Sequence, residues 1–290
     1  MTPDPRPTPG HIALLACILE ATAQKPGNVH RFRDFDDAHY LDFLLSAAAI
    51  AGPLDRASSV GVGRAILESV EATRRHVATN TNLGMILLLA PLAAVPPGIP
   101  LRDGVAAVLE GTTVEDASLA YRAIRLARPG GLGRAGAGEH DIADEPTVTW
   151  AEAMRPAADR DLVARQYATA YADVFDRFLP ALVASLGAGR PLETAILTAY
   201  LAFLAETPDT LIARKRGAVI AREASRRASA VLAAGWPDDP APIDDFDAWL
   251  RADGHARNPG ATADLATAAL FAGLRDGTIR LPIGVGWSAD

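Results

Sequence analysis

The stretch Pro9–Gln24, PGHIALLACILEATAQ, decides the fold class. Ile12, Leu15, Ala16 and Leu19 recur at spacings of three and four, which puts them on one face of an α-helix but would scatter them over both faces of a strand. The same spacing extends outward along most of the chain. Asp36 or Asp37 is placed to cap a second helix running to about Ile50, with Tyr40, Phe43, Leu44 and Ala47 on one face. A third helix is expected over about 59–78, and a fourth from Thr81 or Asn82 to just before Pro96-Pro97-Gly98. Others fit about 101–110, 113–128, 149–158, 160–178, 179–188 and 191–205. A long helix is expected over about 209–234, stopped by Gly235 and Pro237, with two more at about 242–255 and 259–275. Only Ile279 to Val285 has the pattern of a strand.

Composition agrees. Hydrophobic residues make up 49% of the 290 residues and aromatics only 6%. Alanine and leucine supply most of the apolar fraction, which favours closely packed helices over a β-sandwich. The expectation is an all-α protein, with a proline-rich arm over 1–8 and a single compact multi-helix catalytic domain over 9–290. Gly130, Gly131, Gly133, Gly136 and Gly138 crowd one segment, which reads as an internal loop at about 129–149 able to cover an active site.

The net charge of −7 argues against sequence-independent binding of nucleic acid, which requires a basic face. It leaves room for an anionic small molecule held by local Lys, Arg and helix N-termini. Cys17, the one cysteine, lies in an apolar run; it excludes an intrachain disulfide and a Cys-rich zinc site and reads as a core residue. The N-terminus has no basic leader followed by an apolar core, and Met85–Val95 is shorter than the roughly 18–20 residues of a membrane span. A cytoplasmic protein with no membrane partner is expected, with self-association left open.

Four polar motifs interrupt the apolar pattern, each beside a helix start. The first is Lys25-Pro26-Gly27-Asn28-Val29-His30-Arg31-Phe32, where Lys25, His30, Arg31 and Arg33 offer cationic or donor groups and Gly27 lets the backbone approach a ligand. The carboxylates that follow, Asp34, Asp36 and Asp37, suit a divalent cation held between protein and phosphates. The second is Thr79-Asn80-Thr81-Asn82-Leu83-Gly84, with more capping residues than one helix start needs and side chains suited to ribose hydroxyls or a base edge. The third runs from Thr207-Pro208-Asp209-Thr210 to Arg214-Lys215-Arg216-Gly217; Asp209 or Thr210 is placed to cap, and Gly217 inside the expected long helix suggests a close approach. The fourth, Asn258-Pro259-Gly260-Ala261-Thr262-Ala263-Asp264-Leu265, opens the last apolar helix. His76, His140 and His255 lack metal-ligand spacing, and neither a nucleophile elbow nor a dinucleotide fingerprint is present.

In this order and at these separations, over most of residues 10–275, the motifs resemble the triphosphoribosyl-dephospho-CoA synthase family. The resemblance implies an all-helical enzyme that uses ATP and 3′-dephospho-CoA, releases adenine and requires Mg²⁺. It implies catalytic roles for Asp37, Asp209 and Asp264, with Asp37 and Asp209 near metal or oxocarbenium charge. Phosphate contacts fall to Lys25 and Lys215, and ribose contacts to Asn80 and Asn82. Gly27, Asn28, His30, Arg31, Gly84, Thr210, Gly217, Asn258 and Gly260 complete the nucleotide-binding set. The chain departs from lyase-linked members at Phe35, in the position of a histidine, and at His39, in that of a second aspartate. That departure points to a divergent, archaeal-type-like subgroup. Two alternatives follow: (phospho)ribosyl transfer to another acceptor such as a methanopterin-type precursor, and a non-catalytic nucleotide-binding or regulatory protein.

Overall fold

In the computed structural model, which describes residues 7–127 and 144–282, every regular element among the described residues is helical apart from one short extended segment, Ala252–His255. The helices are α1 (Pro9–Thr22), α2 (Tyr40–Asp55), α3 (Ala57–Val60), α4 (Val62–Arg74), α5 (Leu83–Ala94), α6 (Leu101–Glu110), α7 (Val114–Ala127), α8 (Trp150–Met154), α9 (Leu162–Ala168), α10 (Leu179–Gly187), α11 (Leu192–Glu206), α12 (Thr210–Arg216), α13 (Ala218–Ala233), α14 (Pro242–Arg251) and α15 (Gly260–Arg275). The expected proline-rich arm, the glycine-rich loop and the end of the Ile279–Val285 stretch fall mostly outside the described residues.

Two helices form the centre. The sequence of α5, LGMILLLAPLAA, has no polar face, and a helix apolar all round must be enclosed. Every residue of α5 except Gly84 is buried. Along α15, every residue from Ala261 to Gly273 is buried except Asp264. The two helices pack on each other, and α1, α2, α4, α9, α11 and α12 surround them.

Pro91 explains an irregularity elsewhere. It lacks the N–H that would bond the Leu87 carbonyl one turn back. The Tyr167 hydroxyl donates to that carbonyl instead (2.5 Å), and the Tyr171 hydroxyl donates to Leu88 O (2.7 Å). Aiming both tyrosines at α5 interrupts the helix expected over 160–178. It ends at Ala168, Ala170 and Tyr171 turn left-handed (φ 48° and 64°), and a π-helical turn, Val174–Phe178, follows. Left-handed conformation costs roughly 1–2 kcal/mol per residue, which two buried hydrogen bonds can offset.

Two expected helices are each split in two. The 59–78 helix breaks at Gly61 (φ 89°, ψ 160°), and the 209–234 helix breaks at Gly217 (φ 87°, ψ 159°). Both glycines adopt a conformation that L side chains avoid, so Gly217 is a corner rather than a mid-helix residue. The cap of α2 also differs from expectation. His39 precedes the helix, Asp42 accepts from His39 N (2.8 Å) and Asp34 accepts from Tyr40 N (2.7 Å), which leaves Asp36 and Asp37 out of the capping. Among the described residues no single helix is long and apolar enough to cross a membrane.

Candidate functional site

The loop after α1 is held from within. Lys25 is fully buried: its ammonium lies 2.9 Å from Glu20 Oε1 and also donates to the carbonyls of Glu20 and Ala23. Three acceptors satisfy its three donors. The expected phosphate contact is therefore corrected to an internal ion pair. Burial pushes the Glu20 carboxyl up, against the pull of Lys25. Asn28 is also buried, donating to the Tyr200 hydroxyl (2.8 Å), which itself donates to Pro26 O (3.0 Å). At Gly27 (φ 76°) the backbone N–H donates to Asp247 (2.7 Å), and Arg251 donates to Asn28 O. Arg31 makes a two-pronged pair with Glu193 at 2.8 and 3.0 Å. These contacts make the loop a fixed wall.

His30 is buried, and burial first, then Arg251, Lys25 and Arg31, lowers its pKa to about 4. It is thus a neutral ring at pH 7, with Nδ1 accepting from Phe32 N (3.3 Å). It faces a cleft of about 330 Å³ whose other walls include Phe32, Arg33, Trp236 and Asp244.

Asp209 is the joint of the site. It is fully buried; Oδ1 accepts from Leu211 N (2.8 Å) and Ile212 N (3.1 Å), at the start of α12. Oδ2 accepts from Thr262 N and Thr262 Oγ1, both 2.8 Å, at the start of α15. One carboxylate thus caps two helices. Burial raises its pKa and the four hydrogen bonds oppose that rise. Both oxygens of Asp209, expected near metal or oxocarbenium charge, are thus occupied by hydrogen bonds within the chain. Among the described residues no group of three His, Cys, Asp or Glu is arranged to hold a metal ion.

Other residues of the expected set also make contacts within the framework. Asn82 is buried and donates to Thr73 Oγ1 (3.1 Å), tying the start of α5 to α4, while the exposed Asn80 caps α5 through Leu83 N (3.1 Å). Thr210 Oγ1 accepts from Leu162 N (3.1 Å) at the start of α9. Gly260 lies under Leu211, where a Cβ would fall 2.6 Å from Leu211 Cδ2.

What remains open lies around the start of α15. Asp37, which follows the first motif, pairs with His255 Nδ1 at 3.1 Å, and the Phe35 ring meets the His255 ring edge-on. Lys215, half-buried, donates to His255 O (3.3 Å); its pKa is lowered by burial and then by Arg214. Asn258 keeps a buried Oδ1 with no hydrogen-bond partner. Asp264 meets Gly84 so closely that a Cβ there would lie 2.5 Å from its Cγ. Burial, then Glu20, Asp209 and Asp161, push the Asp264 carboxyl well above the usual carboxylate range, while Arg214 pulls it down.

The structure therefore brings the four motifs to one place, although it divides them into a supporting and an open set. Sequence reading missed Glu20 and the Asp247–Arg251 clamp, and gave Thr262 no role within the fourth motif. A lone acid within the apolar run of α1 was the available signal for Glu20.

The sequence matches, over residues 6–281, the family described as ATP:dephospho-CoA triphosphoribosyl transferase. A crystal structure from Archaeoglobus fulgidus, provisionally named a triphosphoribosyl-dephospho-CoA synthase, superposes with a TM-score of 0.65 and has the same fold. The two chains are 22% identical over 81% of this chain and 100% of that one. Among curated proteins no match was found.

Proposed function

The chain belongs to the ATP:dephospho-CoA triphosphoribosyl transferase family, and from that premise we propose that it moves the triphosphoribosyl unit of ATP to a hydroxyl of 3′-dephospho-CoA and releases adenine. The observation that carries this reading is the meeting of all four motifs around the start of α15, where Asp264 lies against Gly84.

The chemistry suits the charges. Breaking a ribose–adenine bond develops positive charge at the anomeric carbon, and a nearby carboxyl group can stabilise it. Asp264, with Glu20 and Asp209 acting on it electrostatically, is the carboxyl here that has no partner of its own among the described residues. Lys215 and the exposed Arg214 are the cations beside them that can meet phosphate oxygens. Magnesium, which neutralises charge on a triphosphate, commonly binds one or two carboxylates and otherwise phosphates and waters. The exposed Asp37, with one oxygen turned to His255, fits that requirement better than the saturated Asp209. ATP as donor also fits a cytoplasmic setting.

Phe35, packed edge-on against His255 where lyase-linked members carry a histidine, favours keeping a second acceptor in the test. The protein is incubated with ATP and Mg²⁺, with and without dephospho-CoA, while adenine and product mass are followed. Adenine formed only with dephospho-CoA supports the reading. Adenine formed only with a pterin-type precursor redirects the acceptor. No adenine with any acceptor overturns transfer and favours a nucleotide-binding role.

A further inference from the structure

α5 and α15 are the two central helices; Gly84 is the one residue of α5 that is not buried, and Asp264 the one such residue of α15 between Ala261 and Gly273. The two positions face each other, and the absence of a side chain on Gly84 is what admits the Asp264 carboxyl. We propose that Asp264 is the acid that protonates the departing adenine, an assignment that rests on the transfer reaction proposed above.

Three carboxyl groups converge here, and their partners differ. Asp209 accepts four hydrogen bonds, and Glu20 is held by the Lys25 ammonium. Among the described residues Asp264 has no hydrogen-bond donor and no ion-pair partner. Its charged surroundings are Glu20 on α1, Asp209 at the start of α12, Asp161 at the start of α9 and Arg214 on α12, with the Cys17 thiol also close. Arg214 is itself 3.5 Å from Asp161. A carboxylate needs donors or cations to remain charged in a low-dielectric site. Burial and the three acids around Asp264 raise its pKa, against one shared cation, and favour the protonated acid, whereas hydrogen bonds at Asp209 and the Lys25 ammonium at Glu20 oppose the rise that burial causes there. Carboxyls set apart in this way by their environments divide acid and stabilising roles.

The step balances. The C1′–N9 bond breaks with its electron pair moving into the purine, the Asp264 proton passes to a ring nitrogen, and adenine leaves neutral. The acceptor hydroxyl adds to C1′ and gives its proton to solvent, from which Asp264 is reprotonated.

The test compares wild type with Asp264→Asn on two donors, ATP and 7-methyl-ATP, whose cationic base leaves without protonation. General acid catalysis contributes about 10²–10⁴-fold. The variant is expected to lose at least about 10²-fold on ATP and to stay within about threefold of wild type on 7-methyl-ATP. An equal loss on both donors, or no loss on ATP, overturns the assignment. If wild type does not turn over 7-methyl-ATP, its pH profile with ATP decides. A rate that declines as Asp264 ionises supports the acid role, and one still rising at pH 9 overturns it. Absence of transfer by wild type under every condition would instead defeat the reaction itself.

Discussion

Replacing Lys25 by Met separates a structural lysine from a phosphate-binding one. The lysine side chain is 0% exposed and its partner Glu20 3% exposed, with 2.9 Å between the charges. Removing one member of such a pair strands the other in a medium that solvates it poorly, at a cost of about 3–5 kcal/mol. Unfolding entropy of ~2.1 cal/mol/K per residue amounts, for this chain, to about 0.6 kcal/mol per degree, so Tm should fall by about 5–8 °C at neutral pH. The deficit has a pH signature. A carboxyl whose folded pKa is raised adds stability below its unfolded pKa, and that stability is lost as pH climbs through the folded value. Glu20 is already raised by burial and rises further without its ammonium, so the variant's deficit should be smaller at pH 5 than at pH 8. The double variant Glu20→Gln/Lys25→Met, with no charge left to strand, should recover much of the loss. Thermal melts followed by circular dichroism at both pH values provide the assay. A Lys25→Met protein that melts within about 1 °C of wild type yet binds ATP weakly would refute the internal pair and restore the phosphate contact.

Asp209→Ala deprives two helix starts of their cap and should cost about 1–4 kcal/mol, counting each cap at about 0.5–2 kcal/mol; a chemical denaturation midpoint equal to that of wild type would contradict the double cap. Tyr167→Phe leaves the Leu87 carbonyl beside Pro91 without a donor and should cost about 1–3 kcal/mol by the same measurement, an unchanged midpoint being the contrary result. His30, held neutral with its pKa near 4 against an ordinary 6.5, makes the folded state lose stability as pH falls from about 6.5 towards 4. The substitution His30→Gln should flatten that part of the stability–pH curve, and an unaltered slope would show that other groups set it.

The helices were legible because apolar spacing reports directly on which face is enclosed, and α1, α6, α7, α11 and α15 fall close to their expected limits. The interruptions were not. The break after Ala168 is set by the needs of carbonyls on α5, 80 and 83 residues from the tyrosines that meet them, and no local pattern in 160–178 expresses that demand. Gly61 and Gly217 were visible as glycines, but a glycine in a helical pattern does not say whether the helix continues. The motifs were legible as a group because chains place such residues at helix starts. Their division of labour was not, since the oxygens that cap a helix are those that bind a nucleotide or metal. Asp209 and Asn82 turned out to hold the framework, whereas Asp264 was left without partners. Glu20 escaped notice because its partner lies five residues on, off the helical contact spacing and beyond the end of α1.

The shared cap at Asp209 has a mechanical consequence. Lys215 rides on α12 and Asp264 on α15, and the starts of those helices are registered against each other by four hydrogen bonds to a single side chain. The offset between cation and acid is thus built into the backbone joint, as in a pair of jaws cast in one piece. The exposed Asp37–His255 pair beside that joint is the weaker attachment, since an ion pair in solvent contributes little.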